Sequence, residues 1–162
     1  MSKNAYRHSI LMHIVFRSIG LAANTVWAIL AIIPHKLANR TRVALIHDDH
    51  ILLIQNITDF RDWTLPGGGY HANESAKQCA LRETSEELGI RASEDQLIPM
   101  GQFSSIQRGM QCNYDTFIVN LTENPSLKIS WEIAHAKWVP LSQLPTNISD
   151  FIPKMLEQRR DS

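Results

Sequence analysis

The sequence predicts an α/β protein: a layered sandwich in which helices cover a sheet on both faces, with an apolar helical segment in front of it. Three observations carry this expectation. Arg42–Ile46 and Ile51–Ile54 are short runs, apolar at successive positions, the pattern of strands buried on both faces. A glycine-rich turn, Gly67-Gly68-Gly69, leads from a strand end into a helical stretch of about Glu74 to Leu88. The stretch from Ser18 to Pro34 is almost wholly apolar and too long for an ordinary strand.

The first element is that apolar stretch. At seventeen residues, with Asn24 and Thr25 near its middle, it is at the short edge of what spans a bilayer. Arg17 and His13 interrupt the apolar sequence before it and no clear cleavage site follows, which argues against a signal peptide. The expectation is a helix or helical hairpin packed on the domain that follows, or across a homodimer. Membrane association through residues 18–34 is the competing reading. The character of the chain changes near Asn39-Arg40-Thr41, dividing a helical segment, 1–38, from a domain spanning 39–162.

Within that domain, His47-Asp48-Asp49-His50 reads as the hairpin turn between the first two strands. Four consecutive residues of a tight turn cannot all aim at one ion. Gly89 is placed to end the helix in a left-handed C-cap. Leu97–Ser105, Asn113–Leu121 and Ala136–Val139 read as further strands. Ser149–Arg160 reads as a last helix with Pro153 in its first turn, where proline is tolerated.

Composition narrows the function. With 44% hydrophobic and 20% charged residues, the chain of 162 residues can bury a core, and it has room for one ordinary domain and an appendage. Lys plus Arg equal Asp plus Glu at 16 each, so no overall field attracts nucleic acid or acidic lipid. Cys79 and Cys112 cannot build a disulfide framework or a four-ligand zinc site, and two reduced thiols fit a cytoplasmic protein. So does Asn73-Glu74-Ser75, a glycosylation triplet only in a secreted chain.

The helix carries the chemistry. At about 100° per residue, Glu83, Glu86 and Glu87 fall in one narrow sector, beside a packing stripe of Leu81, Thr84 and Leu88. Three like charges repel, and they crowd the negative end of the helix dipole. Something positive must compensate: Arg82 in part, and a hard divalent cation with oxygen ligands for the rest. A solvated acidic face would be the ordinary reading, but the surrounding spacing argues against it. From Gly68 the sequence runs Gly, five residues, Glu74, seven residues, then Arg82-Glu83-Thr84-Ser85-Glu86-Glu87-Leu88-Gly89-Ile90.

That pattern, from Gly68 to Ile90, resembles the Nudix box of the Nudix hydrolase family, with Thr84 where an aliphatic residue is usual. Trp63-Thr64-Leu65-Pro66 resembles the family's lead-in, and Ile133–Leu141 its late strand and turn. The resemblance implies an α/β/α sandwich with a mixed sheet and hydrolysis of a phosphoanhydride bond in a small nucleoside diphosphate-linked or related substrate. It implies magnesium as the cofactor, with manganese as a substitute, held by Glu83, Glu86, Glu87 and the Gly68 carbonyl. Arg82 would orient the carboxylates, Glu74 would position the loop, and Glu86 or Glu132 would take the proton of the attacking water. Glu123 and Asp115 are rivals to Glu132. Phe60, Arg61, Asp62, Trp63, Tyr70, Gln107 and Arg108 lie on loops that could meet substrate, and none is singled out. The competing functions are a non-catalytic nucleotide-binding module and a membrane-anchored diphosphatase.

Overall fold

The computed structural model describes residues 38–107 and 110–160. The expected helical segment 1–38, apart from Ala38, lies outside the described residues. So does the choice among domain packing, a homodimer and a membrane for it. Among the described residues no helix is long and apolar enough to cross a membrane.

Six strands and two helices follow in the order β1 (Ala38–His47), β2 (His50–Asn56), β3 (Asp59–Thr64), α1 (Ala76–Leu88), β4 (Ile98–Gln107), β5 (Met110–Asn120), β6 (Ile133–Pro140) and α2 (Phe151–Arg160). The sheet is mixed, in the order β3-β2-β1-β5-β4, with β6 paired to β2 outside that path. β1 runs parallel to β5 over nine residue pairs, from Ala38 beside Cys112 to Ile46 beside Asn120. The other pairings are antiparallel.

Side-chain alternation along β1 divides the core into two. Val43 and Leu45 face α1 and pack with Ala80, Leu88 and Phe117. Ala44 and Ile46 face the other way, toward Phe151, Ile152 and Met155 of α2. Both layers are fully apolar at their centres, which is why β1 and β2 lack the polar alternation of a half-exposed strand. The α/β/α sandwich is therefore a direct expression of those two doubly apolar runs.

The β1–β2 turn is the expected hairpin, with Asp48 and Asp49 at φ 43° and 59°, both left-handed, as a two-residue turn that continues the strand twist requires. The strand end expected before the glycine turn is that of β3, which closes at Thr64; its beginning at Asp59 and a single 3-10 turn at Glu94–Gln96 go beyond what the sequence pattern predicts. Asp59-Phe60-Arg61-Asp62 is too polar to read as a strand. It is held instead by backbone bonds, to β2 on one side and through Trp63 to Asn147 and Ser149 on the other. The remaining strands and α2 differ from expectation only in their ends, by one to three residues; β1 alone begins four residues earlier, at Ala38.

Candidate active site

Residues 66–69 lie along the edge of β1. Thr41 N–H donates to the Gly68 carbonyl and Val43 N–H to the Pro66 carbonyl, both at 2.9 Å. The approach is close enough to exclude a side chain. Gly67 sits at φ 133°, and a Cβ there would lie 2.3 Å from the Thr41 carbonyl oxygen. From this loop the chain enters α1 through Ser75, whose hydroxyl accepts from Gln78 N–H while the Gln78 side chain accepts from Ser75 N–H. Gly89, at φ 70°, closes the other end by donating to the Ser85 carbonyl.

The box residues gather where loop and helix meet. Arg82 grips Glu74 with two bonds, Nε to Oε1 at 2.8 Å and Nη2 to Oε2 at 3.0 Å. Its Nη1 reaches Glu83 at 2.9 Å and Glu86 at 3.0 Å, and its Nη2 also donates to the Gly69 carbonyl at 3.0 Å. One guanidinium thus joins three carboxylates and the glycine loop, an arrangement its planar fork of donors suits and an ammonium would not. These bonds, that to Glu74 above all, raise the Arg82 pKa, and Arg82 in turn holds the Glu74 carboxyl down to about 2.

Glu87 stands apart from this network. It is 6% exposed, and its Oε2 accepts the Gly67 N–H at 2.8 Å. Burial pushes its pKa up to about 7, against the Gly67 bond and the charge of Arg42, while Glu83 and Glu132 push it the same way as burial does. The glutamates that share one sector of the helix therefore divide into two: Glu83 and Glu86 on Arg82, and a buried, under-neutralised Glu87 on the loop. Among the described residues no three acidic, His or Cys side chains already surround a common point as a preformed metal cage.

Glu132 arrives from the segment before β6, which is pinned to the end of α1. Ser130 N–H donates to the Glu87 carbonyl and Lys128 N–H to the Leu88 carbonyl, each at 2.8 Å. These bonds satisfy two of the carbonyls that a helix C-terminus leaves open. They bring the exposed Glu132 close enough for its charge to act on Glu87. Asp115 is differently engaged, accepting from the Tyr70 hydroxyl and, at 2.8 Å, from Gln102 Nε2. Glu123 is exposed in the segment between β5 and β6.

Of the loop residues that could meet substrate, Arg61 and Asp62 line a cleft of about 560 Å³, together with Asp59, Ser105, Tyr114 and Asp150. Trp63 packs against the core beside α2, with the Lys137 ammonium 4.0 Å from its ring centre. Tyr70 is tied to Asp115, and burial followed by that bond raises its pKa. The side chains of Phe60, Gln107 and Arg108 lie outside the described ones.

Sequence reasoning passed over two participants. Cys79, fully buried on α1, has its Sγ 3.4 Å from the Thr41 hydroxyl and 3.4 Å from the Gly69 carbonyl, so it packs the helix onto the loop. Arg42 is buried under the loop from the opposite face of β1 and donates to the Gly67 carbonyl. Position in a strand of alternating faces is the signal that could have found both contacts with β1.

The chain is similar in sequence and in fold to known proteins. The model of the NUDIX domain matches residues 37–158. The chain is 30% identical over 91 residues to a protein named as the mutator protein MutT4 of Mycobacterium tuberculosis (strain CDC 1551 / Oshkosh), a match covering 54% of this chain and 36% of that one. It is 29% identical over 103 residues to a protein named as an 8-oxo-dGTP diphosphatase of Bacillus subtilis (strain 168), covering 64% and 66% respectively. The matches thus span less than two thirds of either relative's length. In fold it is similar to a MutT NUDIX hydrolase from Burkholderia pseudomallei, with a TM-score of 0.68 at 22% identity, covering 76% of this chain and 98% of the other.

Proposed function

The chain belongs to the NUDIX family, and from that premise we propose that it hydrolyses a phosphoanhydride bond in a small nucleoside diphosphate-linked substrate, with magnesium as cofactor and manganese as a substitute. The observation that supports this most is the junction of loop and helix. Four glutamates converge there on one arginine and one buried loop amide, more negative charge than Arg82 alone neutralises.

The donor set fits a hard divalent cation. Glu83, Glu86, Glu87 and the Gly68 carbonyl are all oxygen donors, and among the described residues that carbonyl accepts only from Thr41 N–H and, weakly, from the Cys79 thiol. Glu87 in particular is a buried carboxylate without a full counter-charge. Bound there, divalent ions would screen the phosphates and acidify a water. Arg82 holds Glu83 and Glu86 in place through Nη1 and, through Glu74, ties them to the turn at His71. Glu86, 60% exposed on its side chain and bonded to Arg82 through Oε2, and the exposed Glu132 are the carboxylates we assign to take a proton from the attacking water. The cleft beside β3 is of the size that takes a nucleoside. The relative named for 8-oxo-dGTP makes oxidised and ordinary nucleoside triphosphates the first substrates to try.

The test is a panel of nucleoside triphosphates, nucleotide sugars and dinucleoside polyphosphates, each with magnesium and with excess chelator. Release of pyrophosphate or a nucleoside monophosphate with magnesium alone is the expected result. Equal hydrolysis in chelator would overturn the metal-dependent mechanism.

A further inference from the structure

Arg42 has a cost that its place in the core does not explain. It is 2% exposed, and burial lowers its pKa. Removing a guanidinium from water is costly, and an apolar side chain would fill the same space without that penalty. Among the described residues its Nε has no hydrogen-bond partner, and the guanidinium carbon stands 5.1 Å from the centre of the Tyr114 ring. What the side chain does reach is the Gly67 carbonyl of the glycine loop, through Nη1, which also lies 3.3 Å from the carbonyl of Thr41, its neighbour in β1.

By strand alternation Arg42 lies on the α2 face of β1, with Ala44 and Ile46, and Glu87 comes from α1 on the opposite face. Both end at Gly67. Arg42 takes its carbonyl and Glu87 its N–H, so this one residue is held from both sides of the sheet. The charges act on one another as well: Glu87 and Glu83 favour the charged Arg42, and Arg42 favours the ionised Glu87.

We propose that Arg42 is a positioning residue of the metal site, locking Gly67 against the sheet edge so that the Gly67 N–H fixes the Glu87 carboxylate for a divalent ion. The inference rests on the reading that Glu83, Glu86 and Glu87 hold such an ion. It does not depend on which diphosphate is cleaved.

Manganese binding to the full chain, followed by the electron paramagnetic resonance of free Mn²⁺, tests this without turnover. Arg42→Lys and Arg42→Met should each weaken binding about ten- to a hundredfold, as loss of a group that orients a metal ligand does. In a Glu87→Gln background the Arg42→Lys change should add little, since both act on one contact. A lowered Tm with unchanged Mn²⁺ affinity, or effects that add in the double variant, would overturn the proposal. If neither Arg42 variant folds, the native protein carries the test. Its Arg42 Nε–H and Gly67 N–H nuclear magnetic resonance signals should shift on Mg²⁺ addition with one midpoint. A Gly67 shift with Arg42 unmoved would defeat the coupling. Native protein that binds no Mn²⁺ is a different failure: it removes the metal-site reading itself, and the inference with it.

Discussion

A methyl group at position 68 would stand 2.2 Å from Glu83 Oε1, well inside contact distance. The backbone there needs no glycine conformation, so the requirement is one of space. Gly68→Ala should leave the fold intact and push the Glu83 carboxylate off Arg82. A fall of about ten- to a hundredfold in kcat/KM at fixed magnesium, partly recovered by raising magnesium, is the expected outcome. Unchanged kinetics would show that Glu83 is not needed where it stands. Glu87 allows a test in the opposite sense. Its folded value of about 7 lies above the ordinary 4.5, so in metal-free protein the group favours folding below the ordinary value, and that contribution is lost as pH rises through about 7. Glu87→Gln keeps an acceptor for Gly67 N–H and removes the charge. Chelator-treated Glu87→Gln should therefore be more stable than the parent at about pH 8, by on the order of 1–2 kcal/mol after solvent relaxation and read as a higher Tm, and like the parent at about pH 4. A variant that melts lower at the higher pH would contradict the assigned burial cost.

The elements carry this geometry through their ends. Ser75 and Gln78 close the start of α1 with reciprocal bonds, and the Arg82 clamp lies about two turns beyond Ser75. Ser75→Ala should cost about 1 kcal/mol, read as a lower urea midpoint at unchanged slope, with kcat nearly intact at temperatures where the variant is folded. An unaltered midpoint would mean the cap contributes nothing. Much at this scale was legible: the Gly89 cap, the doubly apolar β1 and β2, and the hairpin between them follow from local pattern alone. Of β3 only the end before the glycine turn was legible, because Asp59–Asp62 offers no apolar alternation and pairs through backbone atoms that sequence does not display. The start of α1 was read two residues early, at Glu74, because a glutamate has good helix propensity. Here its carboxylate accepts from His71 N–H and Arg82 instead. The box spacing named Glu83, Glu86, Glu87 and Arg82, yet it could not say that Glu87 is buried and the other two are not. That division is made by Gly67, Ser130 and Arg42, contacts that depend on how separate segments meet.

The described domain is organised around β1, which touches the glycine loop on one edge and β5 on the other. The loop is a near neighbour in the chain, with Thr41 bonded to Gly68. The parallel partner is not, since Thr41 stands beside Asp115. Pairings between residues so far apart must wait for a long stretch of chain to be closed, and they are slow to form and exposed while they wait. A chain emerging from the ribosome would thus have β1, β2, the loop and α1 available well before β5 exists. In that interval the apolar edge of Val43, Leu45 and their neighbours has no strand beside it and is open to pairing with another copy. The vulnerable moment in the life of this protein is therefore its synthesis, between the emergence of α1 and the arrival of Met110–Asn120.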